Sequence, residues 1–271
     1  MSNKFLLGIG NIARKIKNLF IGVNGIARKV KRIYIGVADK AKLIWEAEEP
    51  VGITWTLRQS AADNNWCSVC YAEDKGLFVA VAWTGTGNRV MTSSNGINWT
   101  ARTSPADNGW QSVCYAKNKG LFVAVAYNGA SNQVMTSPNG IYWTGRQAPA
   151  ANSWQSVCYA ENKGLFVALA QYGTGDLLMT SPDGTTWTRR QHAATNNWRS
   201  VCYAEDKGLF VAVAESGTGN NLVMTSPDGI NWTSRTSAAA NGWQSVCYAE
   251  NKGLFVAVAI SGKGNRVMTS P

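Results

Sequence analysis

The segment at residues 66–100, WCSVCYAEDKGLFVAVAWTGTGNRVMTSSNGINWT, returns four more times, and this repetition restricts the fold more than any other feature of the chain. Trp66, Trp110, Trp154, Trp198 and Trp243 head the copies at intervals of 44, 44, 44 and 45 residues. Cys70, Cys114, Cys158, Cys202 and Cys247 keep the same spacing. A period of this length, filled with short apolar runs and turn residues, marks the blade of a β-propeller.

Each copy resolves into four strands, exemplified by 68–72, 77–82, 89–93 and 97–102. The second, LFVAVA, is apolar on both faces, as suits a strand covered on both sides. Asn95-Gly96, Asn139-Gly140, Asp183-Gly184 and Asp228-Gly229 separate the third strand from the fourth. Such pairs signal a tight hairpin because both positions tolerate positive φ.

The last copy stops at Ser270-Pro271, before its turn and fourth strand. A matching strand, GITWTLR at 52–58, precedes the first full copy in register with GINWTAR at 96–102. The sequence therefore predicts an all-β fold: a five-bladed β-propeller of four-stranded blades, its ring closed by an N-terminal strand at 53–58 that completes the blade of 243–270. Closure would remove the exposed edges of a linear array. The expected organisation is a small basic β-repeat segment for attachment or assembly at 1–45, a linker at 46–51 and the propeller at 52–271.

The formal charge of +10 is uneven. Residues 1–50 hold ten Lys/Arg against four Asp/Glu, and the remainder holds 16 against 12. The basic part contains its own repeat, LGIGNIARKIKNLF at 7–20, IGVNGIARKVKRIY at 21–34 and IGVADKAKLIW at 35–45. Two readings stand: a strand meander turning at Asn24-Gly25, or a basic amphipathic helix with Ile12, Ile16 and Leu19 on one face. The glycines recurring in each unit favour strands. Three short strands bury little alone, so the expected partners are copies of this segment or a larger particle. Nucleic acid is a poor partner, because aromatic residues for base stacking are sparse here.

Neither a secretory signal nor a membrane-length apolar run is present, which predicts cytoplasmic synthesis and release by lysis or within a particle. The five periodic cysteines fall on the innermost strand, as a ring rather than as pairs; only Cys67 is extra. Small buried apolar residues are the expected role, with no disulfides, metal or cofactor.

Function is expected on the face where the copies differ. Chain direction alternates, so the loop before strand one and the loop after strand two share a face. The second loop reads WTGTGNR, YNGASNQ, QYGTGDL, ESGTGNN and ISGKGNR, and Trp83, Tyr127, Gln171, Glu215 and Ile260 share its first position. Loops on a rigid scaffold commonly carry binding. The candidate ligand-binding residues are Trp66, Trp110, Trp154, Trp198 and Trp243 as flat apolar platforms, with Asn65, Asn108, Asn152, Asn197 and Asn241 as hydroxyl partners. Trp83, Tyr127, Asn88 and Asn132 complete the set. Aromatic surface with amides suits the neutral glycans of a cell surface. The competing reading makes each Trp a wedge between blades and each Asn a turn former. A second tryptophan series, Trp55, Trp99, Trp143, Trp187 and Trp232, is expected to pack, with Arg58, Arg102, Arg146, Arg190 and Arg235 pairing along blade edges.

Ser181-Pro182-Asp183-Gly184-Thr185-Thr186-Trp187 and Ser226-Pro227-Asp228-Gly229-Ile230-Asn231-Trp232 resemble a shortened Asp-box of sialidase-type propellers. In that family the box is a hairpin remote from the active site, so the resemblance implies fold, not activity. No counterpart of the sialidase arginine cluster with Tyr, Glu and Asp catalysts is visible. The near-identical repeats are more similar to tachylectin-type lectins, which implies several equivalent sites for N-acetylated sugars. The repeats at 7–45 resemble segments of tail-associated phage proteins. Catalysis is otherwise poorly supported: His192 is the single histidine, and Asp63, Asp107, Asp176 and Glu215 are scattered one to a blade. The leading expectation is a non-catalytic, multivalent lectin-like module on a phage tail or related particle. A structural or protein-binding propeller is the alternative, and a degenerate glycosidase the third.

Overall fold

In the computed structural model the described residues are 52–130 and 132–271, together with the strand backbone of six short segments before them. The chain divides into two units, Met1–Leu57 and Arg58–Pro271.

The first unit contains three two-stranded antiparallel hairpins: Leu6–Ile9 with Ile12–Lys15, Phe20–Val23 with Ile26–Lys29, and Arg32–Val37 with Lys40–Glu46. Of the two readings of this repeat, the strands are the ones formed. Gly8 pairs with Ala13 and Gly22 with Ala27, so equivalent residues of the first two units take equivalent rungs. The turn expected at Asn24-Gly25 lies outside the described residues.

The second unit is a β-propeller array of five antiparallel sheets, here blades I to V, with four, four, four, four and three strands. Blade II shows the pattern: Trp110–Ala116, Leu121–Ala126, Val134–Ser137 and Thr144–Arg146, paired in sequence order. The second strand is the core: Phe122, Val123, Ala124, Val125 and Ala126 are all fully buried, matching its two apolar faces. First strands of successive blades pack on one another, which makes them the inner strands of the array.

The inner strands are locked by one repeated bond. The N–H of Val113 donates to Ser68 Oγ of the preceding blade at 3.2 Å, and Val157, Val201 and Val246 donate likewise to Ser112, Ser156 and Ser200. At the base, Tyr159 and Tyr203 hydroxyls bond to Asn118 and Asn162 of the preceding blade at 2.5 Å.

The turn before the fourth strand is wider than a two-residue hairpin. Asp183 Oδ1 accepts from the N–H groups of Thr185 and Thr186, and Gly184 N–H donates to Ser181 Oγ, each at 2.8 Å. This side-chain-capped turn delays the outer strand to Thr188–Arg190, three residues rather than the six expected. Gly140 in the equivalent turn has φ +73°, and a Cβ there would stand 2.8 Å from Leu77 of the preceding blade. Glycine is needed both for the backbone and for blade-to-blade approach. Trp187 then donates its indole N–H to the Gly184 carbonyl at 3.0 Å and tilts over Phe166 with centroids 6.2 Å apart; Trp99, Trp143 and Trp232 pack likewise on their phenylalanines, as expected, whereas Trp55 is exposed. Arg102, Arg146, Arg190 and Arg235 each donate Nε to a threonine hydroxyl on the third strand at 2.9–3.1 Å.

The two ends of the array differ from its middle. Val69 of blade I is 61% exposed, whereas Val113, Val157, Val201 and Val246 are 6–7% exposed. Val258 and Val267 of blade V are also exposed. The inner strands of blades I and V do not pack together as the other neighbours do. Blade V has three strands, residues 54–58 carry no strand assignment, and Ile53, Trp55 and Leu57 are exposed. The expected closing strand is therefore not formed in this structure.

The carboxylates of Asp183 and Asp228 are capping groups with a pH signature. Partial burial pushes each pKa up, but hydrogen bonds from Thr186 and Thr185, and from Asn231 and Ile230, outweigh it, so Asp183 is lowered and Asp228 falls to about 2. A depressed folded-state pKa stabilises above the unfolded value near 3.8 and the benefit is lost as pH falls toward 2. Blades I and II already use Asn95 and Asn139 in this role, with the same Oδ1 bonds. The double variant Asp183→Asn/Asp228→Asn will therefore fold normally at neutral pH and show a shallower loss of melting temperature between about pH 4 and pH 2 than the parent, followed by circular dichroism.

Candidate functional site

The structure separates the sequence-predicted residues into two groups. Trp110, Trp154, Trp198 and Trp243 are fully buried, and Trp66 is half-buried at the uncovered end. Each indole N–H donates at 3.2 Å to the carbonyl four residues earlier, on Ala62, Ala106, Ala150, Ala194 and Ala239. The four buried rings present no face to a ligand, which corrects the expectation of a tryptophan platform on every blade. Burial of a large ring with its one polar atom satisfied is a core role.

The asparagines two places before each tryptophan are also structural. Asn108, Asn152 and Asn241 are buried and donate Nδ2 to the carbonyls of Asn132, Asp176 and Asn265 at 2.6–2.9 Å. Asn64 and Asn196 do the same to Asn88 and Asn221. Each amide fills the space above a loop glycine; a Cβ on Gly129 or Gly262 would lie 2.5 Å from Asn108 or Asn241. The loops are therefore pinned from inside. Asn65 and Asn197 occupy the next position and are at least partly exposed; Asn197 donates to Ser216 Oγ at 2.8 Å. Asn88 accepts from Asn64 at 3.2 Å, and Asn132 is exposed at the loop tip.

What these clamps hold in place is a shared mouth at the loop-face ends of the inner strands. Trp83, Gln111, Tyr127, Gln155, Gln171, Tyr172 and Arg199, drawn from blades I to IV, line a cavity of about 290 Å³. Backbone rungs fix the end of each second strand: Trp83, Tyr127 and Gln171 donate N–H to the carbonyls of Asn65, Gly109 and Ser153 at 2.8–2.9 Å. One wall is aromatic, with Trp83 and Tyr127 centroids 4.9 Å apart and tilted by 34°. The other is a polar chain. Gln155 Nε2 donates to Gln171 Oε1 at 3.2 Å, and Gln171 Nε2 donates to Glu215 Oε2 at 2.9 Å. Arg199 Nε donates to the same oxygen at 2.7 Å, and its Nη2 closes the ion pair.

Trp83 and Tyr127 were legible as candidates, because the copies diverge at their position. Gln111, Gln155, Arg199 and Tyr172 were not picked out. A signal existed: the residue after each heading tryptophan also varies, reading Cys67, Gln111, Gln155, Arg199 and Gln244. His192 is half-buried, and its Nδ1 has no partner among the described residues. Burial pushes the thiols of Cys70 and Cys202 up to about 12 and those of Cys114 and Cys158 well above the usual range, which holds these four in the protonated, weakly nucleophilic form at neutral pH.

A second cavity, of about 460 Å³, lies between blades IV and V. Its lining includes Leu209 and Val211 of blade IV and Phe255, Ala257, Met268 and Thr269 of blade V. By repeat equivalence, Leu209 and Val211 correspond to the Leu77 and Val79 that meet the blade II turn at Gly140.

No family model matches the chain, and no curated protein does. Solved structures do resemble it. The nidogen/laminin complex aligns at a TM-score of 0.55 and 8% identity over 88% of this chain and 83% of that one. The streptogramin B lyase structure aligns at 0.59 and 12% over 77% and 69%. Both are β-propeller folds, and at these identities the likeness defines this chain as a β-propeller and nothing narrower.

The asparagine clamps give a direct test of the structural assignment. Asn152→Ala leaves the Asp176 carbonyl without its donor and is expected to cost about 1–3 kcal/mol in urea unfolding. A change below about 0.5 kcal/mol would return Asn152 to the ligand-facing group.

Proposed function

We propose that the propeller is a non-catalytic recognition module for neutral glycans, carried on a phage tail or related particle through residues 1–45. The supporting observation is the contrast between the repeats' invariant framework and the mouth. The end of each second strand carries Trp83, Tyr127, Gln171, Glu215 and Ile260 in turn, and the residue after each heading tryptophan varies beside it, whereas the heading tryptophans and the asparagines that clamp the loops do not vary. Aromatic surface opposite amides is chemistry for polyols. The mouth's carboxylate, Glu215, is engaged by Arg199 and Gln171, which suits binding better than proton transfer. The hairpins at the N-terminus place Arg14 and Lys15 on one strand and Arg28 and Lys29 on another, a basic repeat suited to assembly with itself or with particle proteins. A protein-binding or structural propeller is the second reading, favoured by the likeness to a propeller solved in the nidogen/laminin complex.

The functional form of this reading is a closed five-blade ring, with residues 52–58 as the outer strand of blade V. The segment already has the local shape of its equivalents. Gly52 has φ +77° beside +73° and +74° at Gly140 and Gly184. Trp55 donates its indole N–H to the Gly52 carbonyl at 3.1 Å, as Trp143, Trp187 and Trp232 do to Gly140, Gly184 and Gly229. In the other blades the equivalents of Phe255 and Thr269 take the tryptophan and arginine of the outer strand.

Two experiments check these statements. The full-length protein is expected to bind at least one polysaccharide of a host cell wall on a glycan array; silence across all of them, with capture of a surface protein instead, would favour the second reading. Trp55→Ala is expected to lower unfolding stability by at least about 2 kcal/mol, as for a packed tryptophan; a change within about 0.5 kcal/mol marks a solvated segment and an open array.

A further inference from the structure

We propose that the chain carries one glycan site, not five, and that it accepts a single neutral pyranose at the mouth. This rests on the glycan reading above and sets its stoichiometry, place and ligand class.

The count follows from asymmetry. A ring of equivalent sites needs equivalent residues, and the positions that line the mouth are among those where the copies differ. At the mouth, blades I and II supply Trp83 and Tyr127, and blades III and IV supply Gln155, Gln171 and Arg199, the last paired with Glu215. These are the two halves of one site: an apolar wall and a polar one, facing across a shared cavity.

The size follows from the volume. The depression, of about 290 Å³ and open to solvent, is just under the usual range of ligand pockets and accommodates one sugar ring at a chain end. The ring's C–H face fits the Trp83–Tyr127 wall, while its hydroxyls meet groups whose positions are already set. Gln171 is buried, 3% exposed, and fixed at both ends of its amide by Gln155 and Glu215. Binding therefore orders little that is not ordered beforehand, which is where preorganised sites gain affinity. Gln155, which lines the cavity, keeps its Oε1 without a partner among the described residues, as an acceptor for a hydroxyl donor.

The neutrality follows from the ion pair. Arg199 spends Nε and one Nη2 hydrogen on Glu215, so its charge is already balanced by a carboxylate. A negatively charged sugar would have to displace Glu215 or lie beside it. A neutral polyol incurs neither cost.

The test uses the full-length protein, with isothermal titration and saturation-transfer NMR against methyl glucoside, methyl galactoside, methyl mannoside, N-acetylglucosamine and sialic acid. One neutral sugar is expected to bind at one equivalent per chain. Trp83→Ala and Tyr127→Ala should each weaken it at least about tenfold, and Gln155→Ala should weaken it while leaving the melting temperature unchanged. Tyr142→Ala, far exposed on the outer turn of blade II, should leave binding intact. Four or five equivalents per chain, a preference for sialic acid, or binding that survives both aromatic substitutions in folded protein would overturn the single-site proposal. If a host polysaccharide binds and no monosaccharide does, the proposal fails while the glycan reading stands; if neither binds, both fail.

Discussion

The contact between one inner strand and the next carries the architecture. A valine N–H reaches back to the serine hydroxyl of the preceding blade, and its side chain is buried in the same step. Each such bond is worth only about 0.5–1.5 kcal/mol net. Repeated with the tyrosine at the base and the glycine turn at the outer edge, it gives every interior blade the same seat. Stability in such an array is nearly a sum of neighbour terms, so the ends, which lack one neighbour, are where the account is most exposed. Blade I leaves Val69 and Tyr71 bare, and blade V leaves Val258 and Val267 bare.

Near-identity of the copies has a consequence for function. A side chain demanded by packing is demanded five times, which is why the heading tryptophans and their asparagines recur. The mouth is not bound by this rule, because blades I to IV contribute different side chains to a common space. Divergence at positions 83, 127, 171, 215 and 260 therefore costs the framework little. Their backbone is held by rungs and clamps that do not depend on what the side chain is.

Much of this was legible in the sequence. The period, the two apolar faces of LFVAVA and the Asp-Gly turns specified sheets and their order, since these follow from spacing and backbone tolerance. The strand reading of the first 45 residues followed from recurring glycines. What was not legible was direction. An aromatic ring beside amides has the composition of a sugar site whether it points outward or inward. Trp154 points inward, bonded to the Ala150 carbonyl, and Asn152 closes a loop from beneath. The shared mouth was half visible: Trp83 and Tyr127 were found from variation, but Gln155 and Arg199 join them only through the fold, from strands that begin some 16 residues before their partners at 171 and 215. The last strand was legible as a match of GITWTLR to GINWTAR, but pairing across the whole length of the repeat array is a long-range contact that local pattern does not supply.

Native-state amide exchange measures the central contact directly. The N–H groups of Val113, Val157, Val201 and Val246 are bonded to serines and should exchange slowly and alike. In a closed ring, Val69 N–H meets Ser245 Oγ in the same geometry, and the account predicts that its protection joins theirs. Exchange of Val69 at the rate of an open strand edge, with the other four protected, would contradict the closed ring and leave five blades standing as an open array.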